Sequence, residues 1–144
     1  MSGALHTRIF PARRAALRDV DAFLAGVGAA AGFPHEATLR LTLLVEELFT
    51  NTVVHGHGGD SDAPVRLECE VEAGRVALAY EDTGPAHDPF ASVGRPDAAA
   101  SVEERPVGGL GVLLVSAMAQ QFEYRRAGDT NRVTLVVTAA GATS

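Results

Sequence analysis

A carboxylate and a carboxamide, Glu47 and Asn51, lie four residues apart in a segment that is otherwise largely apolar. Residues at i and i+4 share one helix face, so both side chains should reach the same pocket. A buried carboxylate needs a partner or a chemical task. Facing a nucleotide, the amide oxygen of Asn51 suits a hydrated magnesium ion, which prefers oxygen ligands. Glu47, one turn away, could accept a proton from an attacking hydroxyl or water, typically worth about 10²–10⁴ in rate. Taken alone, the pair also fits an interior polar couple that satisfies helix or loop backbone groups.

Two later segments extend this chemistry. Asp82-Thr83-Gly84 ends a strand-like run. An Asp there can accept the amino proton of adenine, while the glycine lets the base approach the backbone. Asp-x-Gly is equally a common turn. Gly108-Gly109-Leu110-Gly111 precedes a helical pattern and offers free backbone amides and a positive helix end to phosphates. A linker before a helix start has the same composition. His55, His57, His87 and Asp88 contain a His-x-His spacing known from metal sites. His57 lies in a glycine-rich loop and nothing fixes His87 near it. The expectation is therefore His55 beside the pocket, with His57 and His87 exposed.

Composition narrows the function. The 144 residues suit a single domain, 1–144, with a real core, and 47% hydrophobic with 21% charged residues fits a globular chain. A net charge of −6 argues against direct, sequence-independent nucleic-acid binding. All twelve basic residues are Arg, which excludes a lysine-bearing P-loop, a lysine Schiff base and a catalytic lysine. Phosphate charge must then be met by Arg, a metal ion, backbone amides or a helix N-terminus. The single cysteine, Cys69, sits in an alternating strand pattern and reads as a small buried apolar residue. No charged start is followed by an apolar run, and no apolar stretch reaches about 20 residues. The expected location is the cytoplasm, without membrane attachment.

The elements that must position these residues follow from periodicity. Residues 5–10 predict a strand ended by Pro11, and 12–31 a helix with Leu17, Val20, Phe23, Leu24 and Val27 at helical spacing. Gly32 stops it, and Pro34 suits the first turn of a second helix over 34–54. In that helix Leu41, Leu44, Val45 and Leu48 form one apolar arc, and Leu43 and Val54 a smaller one. At 3.6 residues per turn, Glu47 and Asn51 fall between the arcs, about 40° apart. Glu46 points away and reads as a solvated surface charge. Val65, Leu67, Cys69 and Val71 alternate with charged residues, and a turn at Ala73-Gly74 returns the chain as an antiparallel strand over 75–80. Residues 84–107 carry no period, apart from a possible helical turn over 97–104, and predict a long functional loop. A third helix over 110–120 and a hairpin of 122–126 with 132–138, turning across Gly128 and Asn131, complete the chain. The expected fold is α+β, a two-layer sandwich. Its mixed, largely antiparallel sheet of about five strands is covered on one face by three helices.

The order of motifs resembles the GHKL superfamily of ATP-binding domains, which share the Bergerat fold. Within it, the chain is most similar to small bacterial anti-sigma factors that are also serine protein kinases. The likeness is carried by Glu47-Leu48-Phe49-Thr50-Asn51-Thr52-Val53-Val54-His55-Gly56, by Glu81-Asp82-Thr83-Gly84-Pro85-Ala86-His87-Asp88-Pro89-Phe90 and by Gly109-Leu110-Gly111-Val112-Leu113-Leu114. It runs from about Leu5 to Thr138. The resemblance implies that Asn51 holds Mg²⁺ against the phosphates of ATP and that Glu47 is the base activating a substrate serine. It further implies that Asp82 binds adenine beside Gly84, and that Gly109 and Gly111 cradle phosphates under a lid over about 90–107. Arg105 would lie near the phosphates or the partner, although Pro106 and Val107 separate it from the glycines. The implied partners are a STAS-type antagonist and a sigma factor, with a homodimer favoured. A non-catalytic ATP-binding module and a small ATPase of the gyrase kind are the competing functions.

Overall fold

The computed structural model describes residues 3–86 and 121–139. The predicted lid and third helix, together with Arg105, Gly109, Gly111, His87 and Asp88, lie outside the described residues.

The chain enters along β1 (Ala4–Pro11), passes a single 3₁₀ turn (Arg14–Ala16) and rises through α1 (Leu17–Ala30). α2 (His35–Asn51) returns alongside it and widens at its end into a π-helical turn (Thr52–Gly56). The strands β2 (Pro64–Glu72), β3 (Arg75–Asp82), β4 (Gln121–Ala127) and β5 (Thr130–Thr138) follow. They form one five-stranded sheet in the order β1-β2-β3-β5-β4, antiparallel at every pairing.

Alternation decides which face of the sheet meets the helices. Val65, Leu67, Cys69 and Val71 of β2 are buried, whereas Arg66, Glu68 and Glu70 between them project to the other side. Val76, Leu78 and Tyr80 of β3 and Val133, Leu135 and Val137 of β5 stand in the same phase. Against them pack Val20, Leu24 and Val27 of α1 and Leu41, Leu44, Val45 and Leu48 of α2. The main apolar arc of α2 is thus the core arc predicted, while Leu43 of the smaller arc is 38% exposed. Burial pushes the Cys69 thiol up to about 12, with the charge of Glu68 adding, so it behaves as the inert core residue expected.

The two helices approach closely at Gly28, where a Cβ would collide with the Thr38 hydroxyl. α1 ends at Gly32, whose φ of 69° few side chains adopt. Pro34 then caps α2 in extended conformation and accepts the amide protons of Ala37 and Thr38.

Candidate functional site

The last turn of α2 and the end of β3 meet at one edge of the sandwich. Past Asn51 the helix loosens: the His57 amide reaches back to the Thr52 carbonyl (3.1 Å), a five-residue step, and the Gly59 amide to Val53 (2.8 Å). Such π-turns frequently mark functional sites because they carry one residue out of the helical register. Sequence periodicity extends a regular helix to Val54; the structure ends it at Asn51. Gly56 at the end of this turn lies against Gly84, where an added Cβ would stand 3.3 Å from the Gly56 Cα. Gly84 therefore serves the approach of two backbones, in addition to leaving room beside Asp82.

Between these elements lies a cleft of about 190 Å³ lined by Leu48, Asn51, Thr52, His55, Gly56, Tyr80, Asp82, Pro85, Ala86, Asn131 and Val133. Asp82 sits in it with its carboxylate held on several sides. Oδ1 accepts the Gly84 amide (3.0 Å) and the Asn131 side-chain amide (2.8 Å), and Oδ2 lies 2.9 Å from the Thr52 hydroxyl. Thr52 also stands 2.5 Å from the Tyr80 hydroxyl, and Tyr80 donates to the Leu48 carbonyl (3.1 Å). Burial raises the Tyr80 phenol well above its usual value, opposed by the Thr52 hydrogen bond and aided by the charge of Asp82, so it keeps its proton. Asn51 also lines the cleft, and its side-chain amide makes no hydrogen bond within the described residues.

Glu47 stands one turn back along α2 and is not a lining residue of the cleft. It is half-buried, and its Oε1 is shut from solvent with no hydrogen-bond partner among the described residues. Burial raises its pKa, and the neighbouring His55 opposes the shift. The two adjacent glutamates differ less than periodicity suggests. Glu46 is half-buried against α1, and burial first, then hydrogen bonding and charge from Asp21, push it up to about 7. It is no solvated surface charge: helix packing covers the flank that the period assigns to solvent. His57 likewise departs from expectation, half-buried with Nε2 enclosed, whereas His55 lines the cleft beside the pocket as expected.

The structure thus brings Asn51, Asp82 and the Gly84 turn together. Four further members were not singled out from the sequence. Tyr80 shares the inward phase of β3 with Asp82, two residues on, and Thr52 follows Asn51 directly. Asn131 belongs to β5 rather than to the preceding turn, pairs with Asp82 in register and is 5% exposed. Arg126 donates to the Gly84 carbonyl (2.7 Å) and to the Asn131 side-chain oxygen (3.1 Å). The available signal was a polar residue in the inward phase of the pattern Asn131, Val133, Leu135, Val137. An Asn two residues after the Gly128-Asp129 step reads as turn chemistry, and that masked it.

An antiparallel five-stranded sheet with helices on one face, and a cleft holding Asp82 where a helix end meets the sheet, defines a two-layer α+β domain. The chain belongs to the histidine kinase-like ATPase domain family, whose model matches residues 10–137. It is 29% identical over 98 residues to the serine-protein kinase RsbW of Listeria monocytogenes, and 28% to that of Listeria innocua. Each match covers 66% of this chain and 62% of the relative. The histidine kinase domain of a blue-light activated histidine kinase from Erythrobacter litoralis superposes with a TM-score of 0.52 at 20% identity, over 91% of this chain and 62% of that one. The Acinetobacter baumannii histidine kinase AdeS does so with a TM-score of 0.50 at 16% identity, over 94% and 68%. These two likenesses carry the fold. Among the described residues no helix is long and apolar enough to cross a membrane.

Proposed function

We propose that this chain is a single ATP-binding domain that acts as a serine protein kinase and anti-sigma regulatory factor, phosphorylating a STAS-type antagonist in a partner-switching system. The observation that carries this reading is one helix bearing two uncommitted groups beside a carboxylate-floored cleft. These are the amide of Asn51 and the enclosed Oε1 of Glu47, neither with a hydrogen-bond partner among the described residues. The family membership and the likeness to serine-protein kinases support it.

In this reading Asp82 receives the amino group of adenine, and the Gly84 turn closes against Gly56. The Asn51 amide oxygen fits Mg²⁺, a hard cation that takes oxygen ligands. When bound, that ion neutralises phosphate charge. Glu47 accepts the hydroxyl proton of the substrate serine as the serine oxygen bonds to the terminal phosphorus, and the bond to ADP breaks. A carboxylate whose proton affinity is raised by burial suits that task near neutral pH better than a solvated one. Arg105, Gly109 and Gly111 are proposed to meet the phosphates, and a sigma factor and a second copy of the chain to be further partners. The reading is tested by incubating the protein with γ-labelled ATP and a serine-bearing STAS protein. Label on the serine supports it, and ATP binding without transfer to any such partner refutes the kinase assignment.

A further inference from the structure

Asn131 makes five hydrogen bonds with one amide, and their arrangement fixes which way it faces. Its Nδ2 lies 2.8 Å from Asp82 Oδ1, 3.1 Å from the Gly84 carbonyl and 2.9 Å from the Pro85 carbonyl. Its Oδ1 accepts from the Tyr124 hydroxyl (2.6 Å) and from the Arg126 guanidinium (3.1 Å). Flipping the amide would set its oxygen against a carboxylate and two carbonyls, and its NH₂ against a cation. Three acceptors on one side and two donors on the other leave a single orientation.

The amide therefore has no capacity left for a ligand, although Asn131 lies in the cleft. What it does instead is occupy Asp82 Oδ1, jointly with the Gly84 amide. Among the described residues Oδ2 has Thr52 as its one partner, which leaves that oxygen an acceptor site for the base. A carboxylate so held presents an acceptor to the base and never a donor.

We infer that Asn131 is a positioning residue that acts through Asp82 and makes the site selective for a purine bearing an amino group at carbon 6 over its 6-oxo counterpart. This rests on the nucleotide reading above. A 6-amino group donates to Oδ2, whereas a 6-oxo group meets it lone pair to lone pair. Arg126 and Tyr124 anchor the amide from behind, and Arg126 also clamps the Gly84 carbonyl that follows Asp82.

The test uses Asn131→Asp, nearly isosteric, and Asn131→Ala, with ATP and ITP as probes and calorimetric Kd as readout. In Asn131→Asp two carboxyls face one another, and like charges at that distance bind one proton between them. Relative to wild type at each pH, its ATP affinity should fall by about tenfold or more at about pH 8 and return towards wild type at about pH 5.5. Asn131→Ala should compress the ATP-to-ITP preference by about fivefold, without that pH dependence. Equal losses at every pH in the first variant, with an unchanged ATP-to-ITP ratio in the second, would reduce Asn131 to a structural residue and overturn the inference. Carboxyl-carbon NMR of Asp82 needs no nucleotide and separates the two readings. A shared proton seen in Asn131→Asp but not in wild type supports the positioning role. Identical titration curves refute it. Failure of the wild-type protein to bind ATP would refute the nucleotide site and leave the NMR comparison decisive.

Discussion

Two carboxylates lie within a turn or two of the same cleft, and their surroundings are opposites. Asp82 has partners on both oxygens, from Gly84, Asn131 and Thr52, supplied by three different elements. Glu47 has one oxygen enclosed and no hydrogen-bond partner for it among the described residues. A carboxylate with partners on both oxygens is fixed in place, which suits recognition. An unsatisfied one in a desolvated position holds protons more tightly than in water, which suits proton transfer. The contrast between the two rests on hydrogen-bond supply, since the functional group is the same.

The sharpest way to break this contrast is Glu47→Gln, which keeps shape and removes the base. Serine phosphorylation should fall by about 10²–10⁴ while ATP affinity changes little, measured by label transfer and calorimetry on one preparation. Undiminished transfer would remove Glu47 from the chemistry. In the wild-type protein, burial sets the acid limb of the transfer rate at a higher pH than for a solvated glutamate, because the base must be ionised. At the other carboxylate, Asp82→Ala should weaken ATP by about ten- to a hundredfold, the equivalent of one charge-assisted hydrogen bond of roughly 1.5–3 kcal/mol. An unchanged Kd would mean that the satisfied carboxylate does not recognise the base.

A third substitution separates site effects from scaffold effects. Gly28→Ala, at the contact of α1 with the first turn of α2 and not among the residues lining the cleft, pushes a methyl group into Thr38 and should destabilise the protein by about 1–3 kcal/mol in urea unfolding. Nucleotide affinity of the folded fraction should stay the same. The smallest effect is expected at Glu46, a third carboxylate that is neither well satisfied nor in the cleft. Its folded-state pKa, raised from the ordinary 4.5 to about 7, means that the fold prefers it protonated. Its contribution to stability is therefore complete below about 4.5 and is lost as pH rises to about 7. Glu46→Gln should flatten this loss and leave the variant more stable than wild type above neutrality, as thermal melts across that window would record. Parallel pH profiles for the two proteins would show Glu46 to be solvated after all.

Local pattern made much of the scaffold legible. Period-2 alternation gave β2 its buried face, and the Leu41, Leu44, Val45 and Leu48 arc gave α2 its core side, because both periods follow from backbone geometry alone. The placing of Asn51 and Asp82 at one cleft was legible because helix spacing and a strand end suffice to place them. Glu46 and Asn131 were not. The environment of Glu46 comes from α1, with Asp21 on a different helix, and no period within α2 contains that neighbour. Asn131 gains its meaning from register: its pairing with Asp82 across β3 and β5 joins residues 49 apart. The π-turn was also hidden: the loop that follows it is tied, through Asp60 and Asp62, to the 3₁₀ turn ahead of α1, distant along the chain.

By itself the sequence determined the period of each element, the three motifs and their order, and the absence of lysine from any phosphate contact. These are properties of neighbours along the chain, where covalent spacing leaves few choices. Only the tertiary structure decided which carboxylate has partners on both oxygens, which has an enclosed oxygen without a partner among the described residues, and that Asn131 holds Asp82. Hydrogen-bond satisfaction and desolvation depend on which distant groups arrive at a given point, and packing of the whole chain sets that arrival.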